Sequence, residues 1–450
     1  MALTFKGGIH VSEHKNTRKC AVEQMPAPKT VSIPMSQHIG AHAEPCVKAG
    51  DIVDRGQVIG TVEGKLGCPV HSSVSGKVVK IDEKKASNGI LIRNVIIEND
   101  GENRLHPSVK PWCKKLEDTT TEEIVEIVRN AGISGMGGAT FPTYAKIQSA
   151  LGKAEYVIVN CAECEPFITA NHRLMLERPE WVIGGLKILM KAFSLNEGII
   201  AIEDNKKDAA KKFLEVLGDD SSIKVKLLKT KYPQGDERQL IFALTGRKLA
   251  AGKLPADVGC CVFNTETCAA IYNAFTTGMP LVERIVTVDG DCIKNPKNIL
   301  APIGATYRDL IAYCDGLTQT PNKIICGGPM MGAAQWDIDT AVTKGTSAVL
   351  ALSKKAEHHF EQPSACIRCG RCVNNCPMRL MPSYLTMFAA QNKLDLAEEF
   401  NILSCIECGS CSYNCPGHVP IVQYIRATKV KINDRKRAMQ AALEQSKIKQ

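Results

Sequence analysis

The pattern of apolar and polar residues along the chain predicts a mixed α/β protein. Apolar residues recur at helical spacing in "TTEEIVEIVRNA" (120–131) and over a longer stretch, "RLMLERPEWVIGGLKILMKAF" (173–193). Three short apolar runs predict buried strands: "YVIVNCAECEP" (156–166), "GIIAIED" (198–204) and "KVKLL" (224–228). The first of these strands ends in two carboxylates, at the edge where open α/β sheets bind ligands.

Two other regions differ from this pattern. Residues 38–81 contain short strand-like runs separated by turn residues, and they predict a small β domain. Near the other end, "SYLTMFAAQNKLDLAEEFNIL" (383–403) and the stretch from 425 to 450 have helical spacing. A chain of 450 residues is also too long for one ordinary core, so several domains are expected.

Composition and charge exclude some classes of function. The chain is 44% hydrophobic and 23% charged, as globular proteins are, and only 5% aromatic, which disfavours base stacking with nucleic acid. The net charge of +9 is concentrated at one end, because residues 421–450 carry eight Lys/Arg and two acidic residues. No run reaches the roughly 18 apolar residues of a membrane span, and the first residues lack an apolar signal core. A cytoplasmic protein is expected, with a basic tail that contacts anionic headgroups too weakly to anchor it alone.

The strongest chemical signal is a cysteine pattern that occurs twice. "CIRCGRCVNNCP" (366–377) and "CIECGSCSYNCP" (405–416) both have the C-x2-C-x2-C-x3-C-P spacing of bacterial ferredoxins, which bind [4Fe–4S] clusters. In such pairs the fourth cysteine of each run completes the other cluster. The alternative, two structural zinc sites, fits less well because zinc knuckles use separated C-x2-C pairs. The predicted ligands are therefore Cys366, Cys369, Cys372 and Cys415 for one cluster, and Cys405, Cys408, Cys411 and Cys376 for the other.

A glycine-rich segment, "GISGMGGATFPTYAK" (132–146), is the candidate for a second cofactor site. Free backbone amides next to a helix start suit a phosphate group, although such a segment alone is more often an ordinary turn. The stretch 132–278 resembles the flavin- and NADH-binding subunit of respiratory complex I. The resemblance rests on "GMGGATFPTYAK", "NCAECEP", "YPQGDER" and "FNTET", which follow one another in the family's order.

That resemblance implies cofactors and contact residues. NADH supplies two electrons as hydride, clusters accept one at a time, and FMN can do both. No side-chain acid or base is required, so no catalytic residue is predicted. Met136 and Ala162 replace an arginine and an aspartate of the family, and Phe263 and Arg238 also depart from its pattern. The implied FMN contacts are Gly135, Gly137, Gly138, Lys146, Asn160, Glu163, Tyr232, Gly235 and Asn264, and the implied NADH contacts are Phe141, Glu165, Asp236 and Glu237.

The other modules also resemble known domains. Residues 38–81 resemble the flattened barrel of biotinyl and lipoyl carriers, with Lys65 near the attachment position; its neighbours differ, so a docking barrel is favoured over a swinging arm. Residues 281–325 resemble the β-grasp domain beside the flavin domain of complex I. Cys161 and Cys164 form an isolated C-x2-C and are interpreted as pocket lining.

The predicted fold is a multidomain α/β chain in six parts. They are a barrel-sandwich domain (1–115), a Rossmann-like FMN/NADH domain (116–279), a β-grasp SLBB-like domain (280–330), a connector (331–355), an α-helical twin [4Fe–4S] module (356–425) and a basic tail (426–450). This order is similar to that of the C subunits of Rnf complexes, membrane assemblies that exchange electrons between ferredoxin and NAD while moving Na⁺ or H⁺.

This resemblance implies a peripheral, NADH-reactive subunit on the cytoplasmic side of the cell membrane. It would be held by integral and peripheral partner subunits, exchange electrons with a ferredoxin-accepting iron–sulfur subunit, and bind no nucleic acid. Two alternatives stay open at this point: a microcompartment cobalamin reductase, and a non-catalytic iron–sulfur adapter without bound nucleotide.

Overall fold

A computed structural model describes residues 3–85, 89–250, 252–355 and 362–448. The N-terminal region forms a barrel from two small sheets, in the strand orders β2-β8-β7-β4 and β3-β5-β6. Alternation places Val31, Ile33, Val95 and Ile97 inside, without measurable exposure. The strands are β1 (Val22–Gln24), β2 (Thr30–Pro34), β3 (Glu44–Pro45), β4 (Ile52–Val53), β5 (Val58–Thr61), β6 (Val70–His71), β7 (Gly76–Lys85) and β8 (Leu91–Asn99).

The second domain is a parallel sheet with helices on its faces, as the apolar pattern predicts. Its strand order is β11-β10-β9-β12, and all three pairings are parallel. Val157, Ile158 and Val159 of β9 are fully buried, because a central parallel strand is covered on both faces. The elements are α1 (Thr121–Asn130), α2 (Thr143–Ala150), β9 (Tyr156–Cys161), α3 (Ala170–Glu177), α4 (Pro179–Phe193), β10 (Gly198–Glu203), α5 (Lys207–Leu217), β11 (Ile223–Leu228), α6 (Glu237–Thr245), β12 (Cys260–Asn264) and α7 (Thr265–Thr277).

Two stretches with helical spacing are each divided into two helices. The stretch 173–193 contains α3 and α4, separated at Arg178, because Pro179 lacks an N–H and begins α4 at its first turn. The stretch 383–403 contains two helices of the cluster module, which are separated where Asn392 adopts a left-handed conformation with φ of 53°. The prediction of one long helix at 173–193 was therefore wrong in its extent, whereas the helical spacing of 383–403 is confirmed.

The third domain is a six-stranded mixed sheet in the order β1-β14-β13-β17-β15-β16. Its central strand β17 lies between β13 and β15, and its edge strand β1 comes from the N-terminal region. The prediction of a connector at 331–355 is corrected here, because this stretch supplies two strands of the sheet. One of them, β17, is fully buried. The elements are β13 (Glu283–Asp289), β14 (Lys297–Pro302), α8 (Tyr307–Tyr313), β15 (Lys323–Cys326), β16 (Ala333–Gln335) and β17 (Ala348–Leu352).

The last module is helical and contains both cysteine runs. Leu385, Phe388, Ile402 and Ile425 form its own small core. The predicted boundary at 425/426 falls inside the final helix, so the basic tail is its continuation. The helices are α9 (Arg371–Asn374), α10 (Pro382–Ala390), α11 (Leu394–Glu399), α12 (Ser410–Tyr413) and α13 (Ile421–Ile448).

The basic side chains at positions 426–437 of α13 are engaged within the module. Lys429 pairs with Glu407, Arg435 and Lys436 pair with Glu398, and Arg437 pairs with Asp434; Lys431 donates to the side chain of Asn392. Charges that are paired in this way are less available to lipid headgroups than the sequence suggested. In the ranges described above, no helix has both the length and the apolar character of a membrane span.

The barrel packs firmly on the second domain. One apolar core runs without interruption from Val31 and Val95 of the barrel to Val157 and Leu186 of the parallel sheet and its helices. Lys65 is exposed in a turn whose Leu66 carbonyl accepts the Ala41 amide. A domain that shares its core with its neighbour cannot swing as a carrier arm does.

The N-terminal segment, residues 3–19, crosses the carboxyl edge of the parallel sheet. Leu3 bridges to Leu228 and Ile9 to Tyr232. Gly8 then donates its amide to the Asn375 carbonyl, 2.9 Å away in the cluster module. This segment therefore connects the flavin domain to the cysteine runs through the backbone.

Candidate functional site

Two asparagines lie side by side where the central parallel strands end. Asn160 and Asn264 are register partners at the carboxyl ends of β9 and β12. The Asn160 side-chain amide donates to the Gly235 carbonyl at 2.8 Å, which fixes the loop before α6 against the strand end. The structure thus brings together three of the residues predicted to contact FMN.

The glycine-rich loop folds over these strand ends. The Gly135 amide donates to the Phe141 carbonyl at 2.8 Å and closes the loop, while a Cβ at Gly137 would lie only 2.7 Å from the Asn264 Nδ2 atom. A Cβ at Gly138 would meet open space. Met136, which stands at the family's arginine position, is buried and its amide donates to Thr267.

The residues present fit a flavin nucleotide. The loop offers an open backbone at Gly138, and both polar atoms of the Gln234 side chain are buried without a hydrogen-bond partner. Buried polar groups without partners are rare in folded proteins and point to a missing contact. Lys146, at the start of α2, lies 2.6 Å from Glu237, so its charge is partly compensated.

Some predicted contact residues have local structural roles. The Glu163 carboxylate accepts the amides of Asn171 and His172 at the start of α3, and burial raises its pKa. Asp236 caps α6, and burial raises its pKa as well. Asn264 caps α7 by accepting the amide of Glu266 at 2.9 Å. These side chains shape the edge of the sheet, and their roles toward a cofactor stay predictions.

Sequence reasoning missed a buried cluster of charges behind this edge. The Lys15 ammonium group donates to the carbonyls of Glu163, Glu165 and Ile168, and Lys206 pairs with Glu203 at 2.9 Å. Burial lowers the pKa of Lys15. Lys15 thereby holds the loop that carries both predicted carboxylates. No local pattern marks it, because its partners lie far away in the sequence.

Glu165 and Tyr232 connect the flavin domain to the second cysteine run. Burial raises the pKa of Glu165 to about 7, and its carboxylate accepts the Met330 amide at 3.1 Å. The Tyr232 hydroxyl lies 3.4 Å from Glu165 and donates to the Cys408 carbonyl at 2.7 Å. Predicted nucleotide-site residues and a predicted cluster ligand are therefore joined by one buried tyrosine.

The residues around the second run fit an iron–sulfur cluster. One apolar cavity is lined by Cys376, Cys405, Cys408 and Cys411, together with aliphatic side chains that include Ile406. The Leu380 amide points at the Cys376 sulfur, 3.3 Å away, and the Glu407 amide at the Cys405 sulfur, 3.4 Å away. Amides directed at sulfur favour thiolates and tune cluster potentials. We call this set the inner cysteines.

The four ligands predicted for the other cluster differ from one another in exposure. Cys366 and Cys369 are exposed, Cys372 is buried and Cys415 is half-buried. Each run repeats the same backbone, since Arg368 and Glu407 occupy matching positions with φ of 56°. We call this set the outer cysteines.

Comparisons with known families agree with this architecture. Four family models match consecutive parts of the chain: an RnfC barrel sandwich hybrid domain at residues 3–102, a Nuo51 FMN-binding domain at 128–273, an SLBB domain at 285–334 and a 4Fe-4S dicluster domain at 358–417. With the loop and cavity described above, these matches define the class: an electron-transfer protein with an FMN-binding domain and an iron–sulfur dicluster domain.

Close relatives give the family. The chain is 45% identical to the C subunit of the Na⁺-translocating ferredoxin:NAD⁺ oxidoreductase complex of Acetobacterium woodii, over 95% of this chain and 97% of that protein. It is 43% identical to the proton-translocating counterpart of Clostridium ljungdahlii (95% and 94%) and 39% identical to the C subunit of the ion-translocating oxidoreductase complex of Rhodobacter capsulatus (96% and 84%). The chain belongs to the family of Rnf complex C subunits, which sets the cobalamin-reductase interpretation aside.

Proposed function

We propose that this chain is the NADH-reactive subunit of a membrane-bound, ion-translocating ferredoxin:NAD oxidoreductase. It passes electrons between NAD(H), FMN and two [4Fe–4S] clusters. It is a peripheral subunit on the cytoplasmic side, held by partner subunits of the complex. The relatives' names support the overall reaction, and the residues of the site support the ligand-binding chemistry.

The observation that carries this proposal is the buried Tyr232. Its side chain is 1% exposed and joins the edge of the parallel sheet to the carbonyl of Cys408. The Gln239 side chain adds a second contact, 3.4 Å from the Met378 sulfur beside the inner cysteines. Bound FMN would convert the two-electron chemistry of NADH into one-electron steps. A flavin site packed against one cysteine set has the arrangement of an electron entry point.

The same contacts assign an order to the two clusters. The inner cysteines touch the flavin domain through Tyr232 and the third domain through Met330, while Cys366 and Cys369 of the outer set are exposed. We therefore assign the inner set to the proximal cluster, which exchanges electrons with the flavin. The outer set exchanges electrons with a partner subunit.

The side chains at the carboxyl edge of the sheet would position the cofactors and shield them from water. None of these side chains is needed as an acid or base. Asn160 holds the loop before α6 against the strand end, and Asn264 caps α7. Glu165 offers a buried carboxylate that can accept hydrogen bonds from nucleotide hydroxyls. Phe141 is 37% exposed at the end of the glycine-rich loop and presents an aromatic face for a nucleotide.

Counting cofactors in the purified full chain tests the proposal. We expect one FMN per chain together with iron and sulfide for two [4Fe–4S] clusters, and bleaching of both chromophores on addition of NADH. Clusters without flavin, and no response to NADH, would instead support the interpretation as an adapter without bound nucleotide. The buried Met136 at the family's arginine position is the observation in favour of that interpretation. Riboflavin-free expression followed by FMN addition serves as the control for incomplete loading.

A further inference from the structure

Lys344 is a buried cation beneath the glycine-rich loop. It lies outside the motifs that carry the family resemblance, and they give it no role. Its side chain is 1% exposed. The ammonium group donates to the carbonyls of Pro69 at 2.9 Å and Gly132 at 2.7 Å, which belong to the barrel and to the start of the loop. The glycine is required there, because a Cβ at position 132 would lie 2.9 Å from the Lys344 nitrogen.

The neighbours of Lys344 hold the loop at both of its ends. The Cys68 thiol donates to the Ile133 carbonyl, and the Ile39 amide donates to the Thr140 carbonyl at 3.3 Å. A Cβ at Gly345 would lie 2.8 Å from the methyl group of Thr140, so the chain beside Lys344 packs directly on the loop. The barrel and the segment 343–345 therefore form the floor of the loop.

The charge of Lys344 is not balanced by a carboxylate. Among the described residues no acidic side chain forms an ion pair with it. Glu266 on α7, near this region, is paired with Arg284 of β13 at 3.0 Å, and that guanidinium also donates to the Lys344 carbonyl. Arg129 of α1 is cationic and stacks on Tyr144. A buried, unpaired ammonium group is costly, and an anion bound nearby would offset that cost.

We propose that Lys344 supplies the buried positive charge that stabilises the phosphate of FMN bound at loop 134–141. This inference rests on the proposed flavin site and deepens it. Met136 removes the arginine charge at that position of the family pattern, and Lys344 provides a cation from below the loop instead. Lys344 is thus a positioning residue with an electrostatic role, and no part of the electron path.

The surroundings predict a measurable pH dependence. Burial lowers the pKa of Lys344 to about 8 in the absence of an anion. The barrel groups that face it stay uncharged at this pH, because burial lowers the pKa of His71 to about 3, lowers that of His38 and raises that of the Cys68 thiol. FMN should bind more tightly to the protonated lysine, so FMN affinity should fall as the pH rises above 8.

The experiment compares FMN with riboflavin, which lacks the phosphate. Both are titrated into deflavinated full-length chain between pH 7 and 9, above the second pKa of a phosphate monoester at about 6, and binding is followed by flavin fluorescence. Lys344→Met should weaken FMN binding roughly tenfold at pH 7, because the attraction between one buried positive charge and the phosphate is lost. Riboflavin binding should stay unchanged, and Lys29→Met, at a side chain 86% exposed, is the charge-matched control.

Each result of this experiment supports or overturns the inference about Lys344. Equal weakening of both flavins in Lys344→Met would mean that the lysine only braces the loop, and the inference would be overturned. If that variant does not fold, the wild type suffices: FMN affinity must fall above pH 8 while riboflavin affinity stays flat, and parallel profiles overturn the inference. A wild type that binds neither flavin refutes the proposed flavin site itself and the role of Lys344 with it.

Discussion

Cys376 belongs to the first cysteine run by sequence but lines the cavity of the second run, and its replacement tests the crossed arrangement. In Cys376→Ala the inner set retains three thiolates, while the outer set keeps all four. We expect the chain to lose about half of its iron and sulfide, since each run's fourth cysteine serves the other cluster. The Leu380 amide also loses its sulfur acceptor, at a cost of about 1 kcal/mol, which is too small to unfold the module.

The assay identifies which cluster is lost. Electron paramagnetic resonance spectra of dithionite-reduced Cys376→Ala are compared with two reference variants, Cys405→Ala of the inner set and Cys366→Ala of the outer set. The spectrum should match that of Cys405→Ala. NADH should then fail to reduce the remaining outer cluster, although dithionite still reduces it, because the proximal cluster is missing.

Two further variants make the test symmetrical. Cys415→Ala should reproduce the spectrum of Cys366→Ala, while Cys46→Ala, at an exposed thiol of the barrel, should leave the iron content unchanged. If Cys376→Ala instead matched Cys366→Ala, each run would hold its own cluster and the crossed assignment would be wrong.

Three other changes probe the nucleotide edge and the cluster environment. Glu165→Gln should raise the KM for NADH while flavin content stays normal, and flavin loss with an unchanged KM would contradict this role. Because burial raises the pKa of Glu165 to about 7 in the folded protein, the wild type should lose thermal stability as the pH rises from 5 to 8, and the variant should lose less. Gly137→Ala should lower flavin content, because its Cβ would lie 2.7 Å from Asn264, while the iron content stays normal; full flavin occupancy would refute the assignment. Lys429 donates to the carbonyl of Cys405 in the second cysteine run, so Lys429→Gln should make the reduction potential of the proximal cluster more negative by some tens of mV in a redox titration. Lys431→Gln on the same helix is the control, and equal shifts in both variants would exclude a local charge effect.

The features that could be predicted from the sequence are those written locally. The strands at 156–161 and 198–203 follow from short apolar runs, and the two cysteine runs carry their ligand spacing within a dozen residues. Pro179 marks the end of α3, since a proline seldom continues a helix. The apolar residues at helical spacing on both sides nevertheless led to the prediction of one helix.

The features that escaped prediction depend on contacts between distant parts of the chain. Lys15 and Lys344 resemble ordinary surface lysines in sequence, and only the fold buries them. The strand β17 read as part of a connector because its partners, β13 and β15, lie well before it. The C-terminal charges suggested a free tail, whereas the structure pairs them with acidic residues of the cluster module.

The crossing of the N-terminal segment over the sheet edge has a consequence for biosynthesis. The Gly8 amide donates to the Asn375 carbonyl, so residues 3–19 cannot complete their contacts until the cysteine runs have been made. At typical rates of about 5–20 residues per second, that interval lasts roughly 20 to 75 seconds. During this time the carboxyl edge of the parallel sheet lacks the cysteine module that later covers it. The order of synthesis therefore leaves the proposed flavin site without its iron–sulfur neighbour for most of that interval.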